Sequence, residues 1–481
     1  MIPELEWETT CARCSPDALG PRSREDYTDS MKRILLISYG FPPVSRVQSQ
    51  GAAKLAKGLA ENGWDVHVLT VADPPTYLFD ETLAEGLPSN VTVHETFSLE
   101  PTRVLQLLRR GQRAHTGADA TGAARASATG GASTPGSKRS YTSLPPRAVR
   151  ALRGLFFPDE KVGWAPWAVR AALRLHNDVP FDAVVSTGPP YTDHTIGRSI
   201  ARKTGLPWLA VLMDPIVDCY AFPPATRVHR SMMHHLERSV AREAALIATA
   251  TQPFADELLS RNPDSAQRVF VFPNSFESSD FTGPAPDHGD GFLVSYVGTF
   301  QLTVCADSLL DAVGALRDDP LLARDLRVRF VGPLDPETAA AIRVRGLDSV
   351  VECTGLLGHR KAVEQMRQAD VLVVILGPEA ESAGILTGKL PEYLAADRPI
   401  LAIVPEGTAA DTVIRAGAGE VVAPGDPAAI EAALRRLHAE WLTGSPRHPD
   451  PAVVAEFDRA RNASMLDARL RSACSPREVT L

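Results

Sequence analysis

The sequence predicts an α/β protein of two doubly wound, Rossmann-like domains. Short apolar runs typical of buried parallel strands alternate with amphipathic helical segments along most of the chain. The length of 481 residues exceeds what one hydrophobic core normally serves. A segment rich in Pro, Gly and Asp at 284–291 separates two series of alternating elements. We therefore expect two domains that face each other across a cleft.

The first domain is predicted at 31–283, after a polar extension at 1–30 that we expect to be disordered. Its strands are expected at 32–38, 65–70, 181–187, 207–212, 246–250 and 269–272. Helices are expected at 49–62 and 194–204, between strands of the parallel sheet. A Gly/Ala/Ser/Thr-rich stretch near 111–145 lacks a core-forming pattern, so it is predicted to be a flexible insertion.

The second domain is predicted at 284–445 and begins with the apolar run 292–297. Further strands are expected at 328–331, 350–353, 371–376 and 400–404, with helices between them. The tail at 446–481 is expected to be helical, mainly over 453–473. In two doubly wound domains, ligands bind at the carboxyl ends of the strands, and these ends would line the cleft.

Composition and charge narrow the possible functions. The formal net charge is -8 and the pI is near 5.9, which argues against a nucleic-acid-binding protein. No apolar run approaches the roughly 18 residues of a membrane span, and the acidic N-terminus lacks the apolar region of a secretory signal. We expect a cytoplasmic protein. Cys11 and Cys14 form a lone Cys-x-x-Cys without further ligands at suitable spacing, so no metal site is predicted.

The stretch 385–402 carries the most informative pattern in the chain. Gly388 allows close approach of the backbone to a phosphate, and Lys389 supplies a positive charge beside it. Glu392 follows about one helical turn later, where its carboxylate can accept hydrogen bonds from ribose hydroxyls. This order fits a nucleotide diphosphate. The alternative is an ordinary loop-helix-strand connection with a solvated lysine.

The same stretch, Gly-Lys-Leu-Pro-Glu-Tyr-Leu-Ala-Ala, resembles the donor-site helix of retaining, GT-B-fold glycosyltransferases of family 4 (glycosyl transferases group 1). The resemblance extends in order through most of 31–445, except for the insertion. It implies a GT-B fold, in which the C-terminal tail crosses back to brace the first domain. It also implies Gly388, Lys389 and Glu392 as donor-binding residues.

Three first-domain residues are implied by the resemblance. Arg46 lies in the loop 39–51 that follows the first strand and is implied as a donor contact. His194 lies in a Pro-Pro-x-x-x-His pattern and is implied to contact the donor sugar or leaving phosphate. Asp214, in Met-Asp-Pro after the fourth expected strand at 207–212, is implied to orient an acceptor hydroxyl. A solvated arginine, a histidine bonded to its own turn and a capping aspartate are the respective alternatives.

In the second domain, the resemblance implies contacts at two further turns. Gly298 and Thr299 follow the strand 292–297 and are implied to meet the diphosphate. Leu357 and Gly358 lie in a turn whose backbone is implied to contact the nucleobase. No lysine or arginine occurs at 299–308, so Lys389 is expected to be the main second-domain cation at the phosphates and, with His194 and Asp214, a candidate catalytic residue.

Some positions depart from the family pattern. Gly51 stands where arginine is frequent, and Met213 also replaces an arginine. Gly384 lies eight positions before Glu392, where the family's Glu-x7-Glu pattern has its first glutamate. We therefore expect a retaining hexosyl- or N-acetylhexosaminyl-type transferase with a nucleotide-diphosphate sugar donor, a hydroxyl acceptor, and no metal or other cofactor. A non-catalytic GT-B-like partner protein and a nucleotide-sugar epimerase remain alternatives.

The segment 147–157 contains three arginines beside aromatic residues and raises the question of peripheral membrane contact. An amphipathic helix packed on the first domain is the interpretation we favour.

Overall fold

The computed structural model describes residues 31–44, 47–72, 74, 84, 86–100, 156–219, 223–224, 226–287, 289–299 and 306–475. It confirms the predicted fold class, because two parallel sheets with interleaved helices make up the two domains. The expected extension at 1–30, the insertion near 111–145 and the arginine-rich segment at 147–155 lie outside the described residues.

The first sheet has seven parallel strands in the order β3-β2-β1-β4-β5-β6-β7. They are β1 (Arg33–Ile37), β2 (Asp65–Val71), β3 (Val91–Thr96), β4 (Ala183–Gly188), β5 (Trp208–Leu212), β6 (Leu246–Thr249) and β7 (Val269–Val271). The helices are α1 (Val47–Glu61), α2 (Ala165–Asp178), α3 (Thr192–Thr204), α4 (Arg227–Glu243) and α5 (Gln252–Arg261). Strand order reverses between β1 and β4, so a crevice opens beyond their carboxyl ends.

The second sheet has six parallel strands in the order β10-β9-β8-β11-β12-β13. They are β8 (Phe292–Val297), β9 (Leu326–Val331), β10 (Val351–Gly355), β11 (Val371–Ile375), β12 (Ile400–Ile403) and β13 (Gly419–Val422). The helices are α6 (Asp307–Leu316), α7 (Pro336–Val344), α8 (His359–Gln368), α9 (Lys389–Ala395), α10 (Thr408–Arg415) and α11 (Pro427–Leu442). The reversal between β8 and β11 creates the equivalent crevice.

The central strands read as apolar runs because both faces of a parallel sheet are covered by helices. Every residue of β8 and of β11 is buried. Strand β3 was not predicted. It lies at the edge of its sheet and has no fully buried residue, so its alternating Val-Thr-Val-His pattern lacks the apolar run of a central strand. The short edge strand β13 was also not predicted, and only its last residue is buried.

The C-terminal tail forms two helices, α12 (Pro451–Ala455) and α13 (Arg459–Cys474). Leu466 and Leu470 of α13 join the apolar core of the first domain. Close approach to α1 depends on Gly58, since a Cβ there would lie 2.6 Å from the Cβ of Ala463. The Arg459 guanidinium pairs with Glu277, with an Nε to Oε2 distance of 2.6 Å. The last helix therefore packs as part of the first domain.

None of the helices within the described ranges combines the length and apolar character needed to cross a membrane.

Candidate active site

The second-domain crevice brings together Gly298 and helix α9. Gly298 directly follows β8, and α9 begins at Lys389, after a 3-10 turn that follows β11. The two strands are neighbours in the sheet. Gly388 is the residue before the helix and is partly exposed. Fold topology thus places the predicted phosphate-binding residues at one point, the strand-order reversal.

Lys389 is held against an aromatic ring. Its Nζ lies 4.1 Å from the centre of the Tyr296 ring and donates a hydrogen bond of 2.5 Å to the Tyr296 hydroxyl. Burial lowers the pKa of Lys389 to about 8 and raises the pKa of Tyr296 to above its usual range. At neutral pH the lysine is still mainly protonated, with its charge in a low-dielectric site where it acts strongly on a nearby anion.

The position of Lys389 requires a glycine at 298. The φ angle of Gly298 is 142°, and an added Cβ would lie 2.2 Å from Cε and 2.5 Å from Nζ of Lys389. Thr299 is exposed, and its carbonyl accepts a hydrogen bond of 3.2 Å from the Tyr296 hydroxyl. Any side chain at 298 would displace the lysine, so the glycine turn and the cation form one unit.

Glu392 lies one turn after Lys389 and contacts the first domain. Its Oε1 atom accepts a hydrogen bond of 3.0 Å from Nζ of Lys54, on helix α1. The same Nζ donates to the carbonyl oxygen of Ser275 at 2.8 Å. The predicted ribose carboxylate therefore faces the cleft and touches both domains. Lys54 was not predicted from the sequence, because nothing in the pattern of α1 distinguishes it from a solvated lysine such as Lys57.

The turn predicted to meet the nucleobase precedes helix α8. Gly358 is the residue before this helix and is exposed, while Leu357 is half-buried. His359 follows, and its Nε2 lies 3.0 Å from Oδ2 of Asp280. The Asp280 carboxylate raises the pKa of His359 from its usual value, and Glu392 adds to this effect. Glu392 is thus close enough to affect the pKa of His359, the residue that follows the predicted base-binding turn.

His194 is buried within the first domain rather than exposed in the cleft. Its side chain is fully buried, and its Nδ1 lies 2.9 Å from Oγ of Ser186. The Nε2 atom has no hydrogen-bond partner among the described residues. An added Cβ on Gly188 would lie 2.7 Å from this atom. Burial lowers the pKa of His194 to about 3, so the imidazole is neutral.

Asp214 follows β5 and is partly exposed. Burial of most of its carboxyl group raises the pKa of Asp214 to about 6. It lines a small cavity with Phe254 and Leu258 of α5. At neutral pH the carboxylate is mainly ionised, and it lies at the carboxyl edge of the first sheet.

The departures from the family pattern have different surroundings. Gly384 packs against the first domain, where an added Cβ would lie 2.7 Å from Cε1 of Phe254. Its carbonyl accepts a hydrogen bond of 2.9 Å from Oγ1 of Thr251. A glutamate at 384 would therefore require movement of the Phe254 ring. Gly51 is exposed on α1 with nothing within 4 Å of an added Cβ. Met213 is partly buried against the apolar core.

Arg46 lies outside the described residues, as do Cys11 and Cys14. Within the described part of the chain, no group of three His, Cys, Asp or Glu side chains is arranged to hold a metal ion.

Family models match both halves of the chain. A "Glycosyl transferase 4-like domain" matches residues 48–275, and "Glycosyl transferases group 1" matches residues 291–440. The first range contains strands β2 to β7 of the first sheet, and the second range contains all six strands of the second sheet. These matches, together with the similarity to solved GT-B structures, support the assignment of this chain as a GT-B glycosyltransferase. No curated protein gave a significant sequence match.

Solved structures share the fold at low sequence identity. The Anabaena protein HepE in complex with UDP and glucose has a TM-score of 0.59 and 14% identity, covering 92% of this chain and 100% of that chain. A glycosyltransferase from Rickettsia africae has a TM-score of 0.58 and 12% identity, covering 93% of this chain and 100% of that chain. Sucrose-phosphate synthase from Thermosynechococcus elongatus has a TM-score of 0.55 and 16% identity, covering 92% of this chain and 95% of that chain. At these identities the likeness shows the GT-B fold alone.

Proposed function

We propose that this glycosyltransferase moves a hexosyl or N-acetylhexosaminyl group from a nucleotide-diphosphate sugar to an acceptor hydroxyl, with retention of anomeric configuration, as in family 4. The observation that carries the proposal is the placement of Lys389 and Glu392 one helical turn apart at the second-domain crevice, facing helix α1 across the cleft.

Donor binding is divided between three parts of this crevice. The diphosphate lies against Lys389 and the backbone at Gly298 and Thr299, with Gly388 at the start of α9. The ribose hydroxyls donate to the Glu392 carboxylate, which has acceptor capacity beyond its contact with Lys54. The base lies along Leu357 and Gly358. This division matches the order of sites expected for a nucleotide.

The chemical step depends on charge and orientation more than on a side-chain base. The acceptor hydroxyl attacks the anomeric carbon from the face that the diphosphate leaves, and a phosphate oxygen takes the hydroxyl proton. The C–O bond to the departing phosphate breaks as the new C–O bond forms. Lys389 stabilises the negative charge that develops on the diphosphate, in a half-buried site where such stabilisation is strong.

First-domain residues complete the acceptor side. Asp214, ionised at neutral pH, orients the acceptor hydroxyl. His194, once the Gly188 loop moves, offers its unpaired Nε2 to the donor sugar. The binding energy of the donor thereby supports closure of the cleft and alignment of the reacting atoms.

A screen of nucleotide sugars by thermal shift and by product mass tests the proposal. UDP-sugars come first, since structures of the same fold hold UDP. A donor present at about 100 times its dissociation constant should stabilise the protein by roughly 2.7 kcal/mol. Transfer of the sugar mass to an added hydroxyl acceptor, with release of the nucleoside diphosphate, is the expected result.

The same screen separates the alternatives. A sugar epimer formed without transfer would indicate an epimerase. Tight nucleotide binding with no sugar turnover across a broad acceptor panel would indicate a non-catalytic partner protein. Either result would contradict the transferase proposal.

A further inference from the structure

An ion pair between the two domains involves the proposed ribose carboxylate. Lys54 lies on α1, one turn after Gly51, and its Nζ reaches Oε1 of Glu392 at 3.0 Å. The partners are 338 positions apart in sequence. Side-chain exposure is 23% for Lys54 and 13% for Glu392, so both groups are largely withdrawn from water. Such a pair is screened less than an exposed surface ion pair.

The ammonium of Lys54 is fixed by a second contact. It donates to the carbonyl oxygen of Ser275 at 2.8 Å, in addition to its bond with Glu392. Glu392, by contrast, uses one oxygen for this pair. Within the described ranges, Oε2 of Glu392 accepts no hydrogen bond from another residue. A carboxylate held through one oxygen by a fixed cation presents the other oxygen in a defined direction.

We infer that Lys54 is a positioning residue that completes the ribose subsite from the opposite domain. It holds the Glu392 carboxylate oriented so that Oε2 can accept the paired hydroxyls of a ribose. The inference rests on the proposed function, because it assigns the ligand of Glu392 as a nucleotide ribose. Recognition of the ribose is then coupled to the closed arrangement of α1 against α9.

The chain offers a matched control on the same helix. Lys57 lies one turn beyond Lys54, and its Nζ pairs with Oε2 of Glu277 at 2.9 Å. Its side-chain exposure of 29% is close to that of Lys54. Glu277 precedes the linker and also binds Arg459. Loss of Lys57 removes a comparable ion pair near the domain junction without touching Glu392.

The experiment measures binding of UDP, ADP and GDP, each beside its 2′-deoxy counterpart, by isothermal titration calorimetry. The proteins are wild type, Lys54→Met, Lys54→Arg, Lys57→Met, Glu392→Gln and the double variant Lys54→Met/Glu392→Gln, each checked for folding by thermal unfolding. For the base that wild type binds most tightly, we expect Lys54→Met to weaken ribonucleotide binding roughly tenfold, as for loss of a bond to a charged group. Binding of the 2′-deoxy nucleotide should weaken much less, so the ratio of ribo to 2′-deoxy affinity should fall.

The controls make the inference specific to positioning. Lys57→Met should leave the ratio of ribo to 2′-deoxy affinity unchanged, and Lys54→Arg should restore part of it. In the Glu392→Gln background, Lys54→Met should cause no further loss of discrimination, because both residues act through the same carboxylate.

Several results would overturn the inference. Equal weakening of ribo and 2′-deoxy nucleotides in Lys54→Met would show a general structural role. Tighter ribonucleotide binding in Lys54→Met would show that Lys54 competes with the ribose. Unchanged binding would show that Lys54 has no role there. Failure of wild type to bind any of these nucleotides would overturn the inference and the proposed function together. Lost discrimination in a protein that transfers no sugar would support the inference and contradict the transferase.

Discussion

Replacement of Lys389 by methionine should lower turnover with little change in fold. Methionine keeps most of the apolar stem that packs against Gly298 and the Tyr296 ring but removes the ammonium group. With a pKa of about 8, the wild-type lysine at pH 7 is charged in a ratio of about ten to one. Loss of one preorganised electrostatic contact of this type reduces kcat by roughly 100- to 1000-fold, about 2.7–4 kcal/mol. We expect the same range for Lys389→Met.

Steady-state release of nucleoside diphosphate from the donor found in the screen provides the assay, and circular dichroism confirms folding. Lys361→Met is the matched control, since Lys361 is an exposed lysine of the same domain, beyond the base-binding turn. It should change kcat by less than about threefold, as expected for a surface lysine that makes no transition-state contact. A folded Lys389→Met protein with kcat close to wild type would refute the role of Lys389 as the charge that stabilises the leaving diphosphate.

Three further predictions concern helix α1, pH and the insertion. Gly51→Ala should increase the free energy of unfolding by about 0.5–1 kcal/mol and so raise the unfolding temperature, because the site is helical, exposed and open. Gly58→Ala on the same helix should decrease the free energy of unfolding by about 1–3 kcal/mol, because the new methyl group would clash with Ala463. Shifts of the same sign in the two variants would contradict the proposed packing of α13 on α1. Donor kcat/KM should fall as pH rises through about 8, because the folded pKa of Lys389 lies below its usual value and charge is lost there; a profile flat to pH 9.5 would contradict this. Deletion of 116–137, outside the described residues, should leave folding and nucleotide affinity intact, whereas an insoluble product would show that the tract is structural.

The strands of both sheet centres could be predicted from sequence because their apolar runs are long and bounded by turn residues. The runs at 292–297 and 371–376 correspond to β8 and β11 almost residue for residue. Edge strands could not be predicted in the same way, since one or both faces of β3 and β13 remain partly exposed and their patterns are mixed. A parallel strand appears in the sequence as an apolar run only when both of its faces are buried.

For the candidate site, residues close in sequence were easier to relate than residues brought together by the fold. Gly388, Lys389 and Glu392 are related by helical spacing, which the sequence displays. The contact of Lys389 with Tyr296 and the ion pair of Glu392 with Lys54 join distant segments, and no periodicity indicates them. The burial of His194 also depends on tertiary packing, here against Ser186 and the Gly188 loop.

The most direct test of the central claim is a crystal structure of the protein with the nucleoside diphosphate that binds most tightly in the screen. We expect the diphosphate within hydrogen-bond distance of Lys389 Nζ and the Gly298 turn, the ribose hydroxyls hydrogen-bonded to Glu392, and the base beside Leu357 and Gly358. Lys54 should still contact Glu392 in that complex. A nucleotide bound elsewhere, or bound at this crevice with its ribose directed away from Glu392, would contradict the assignment of the donor site.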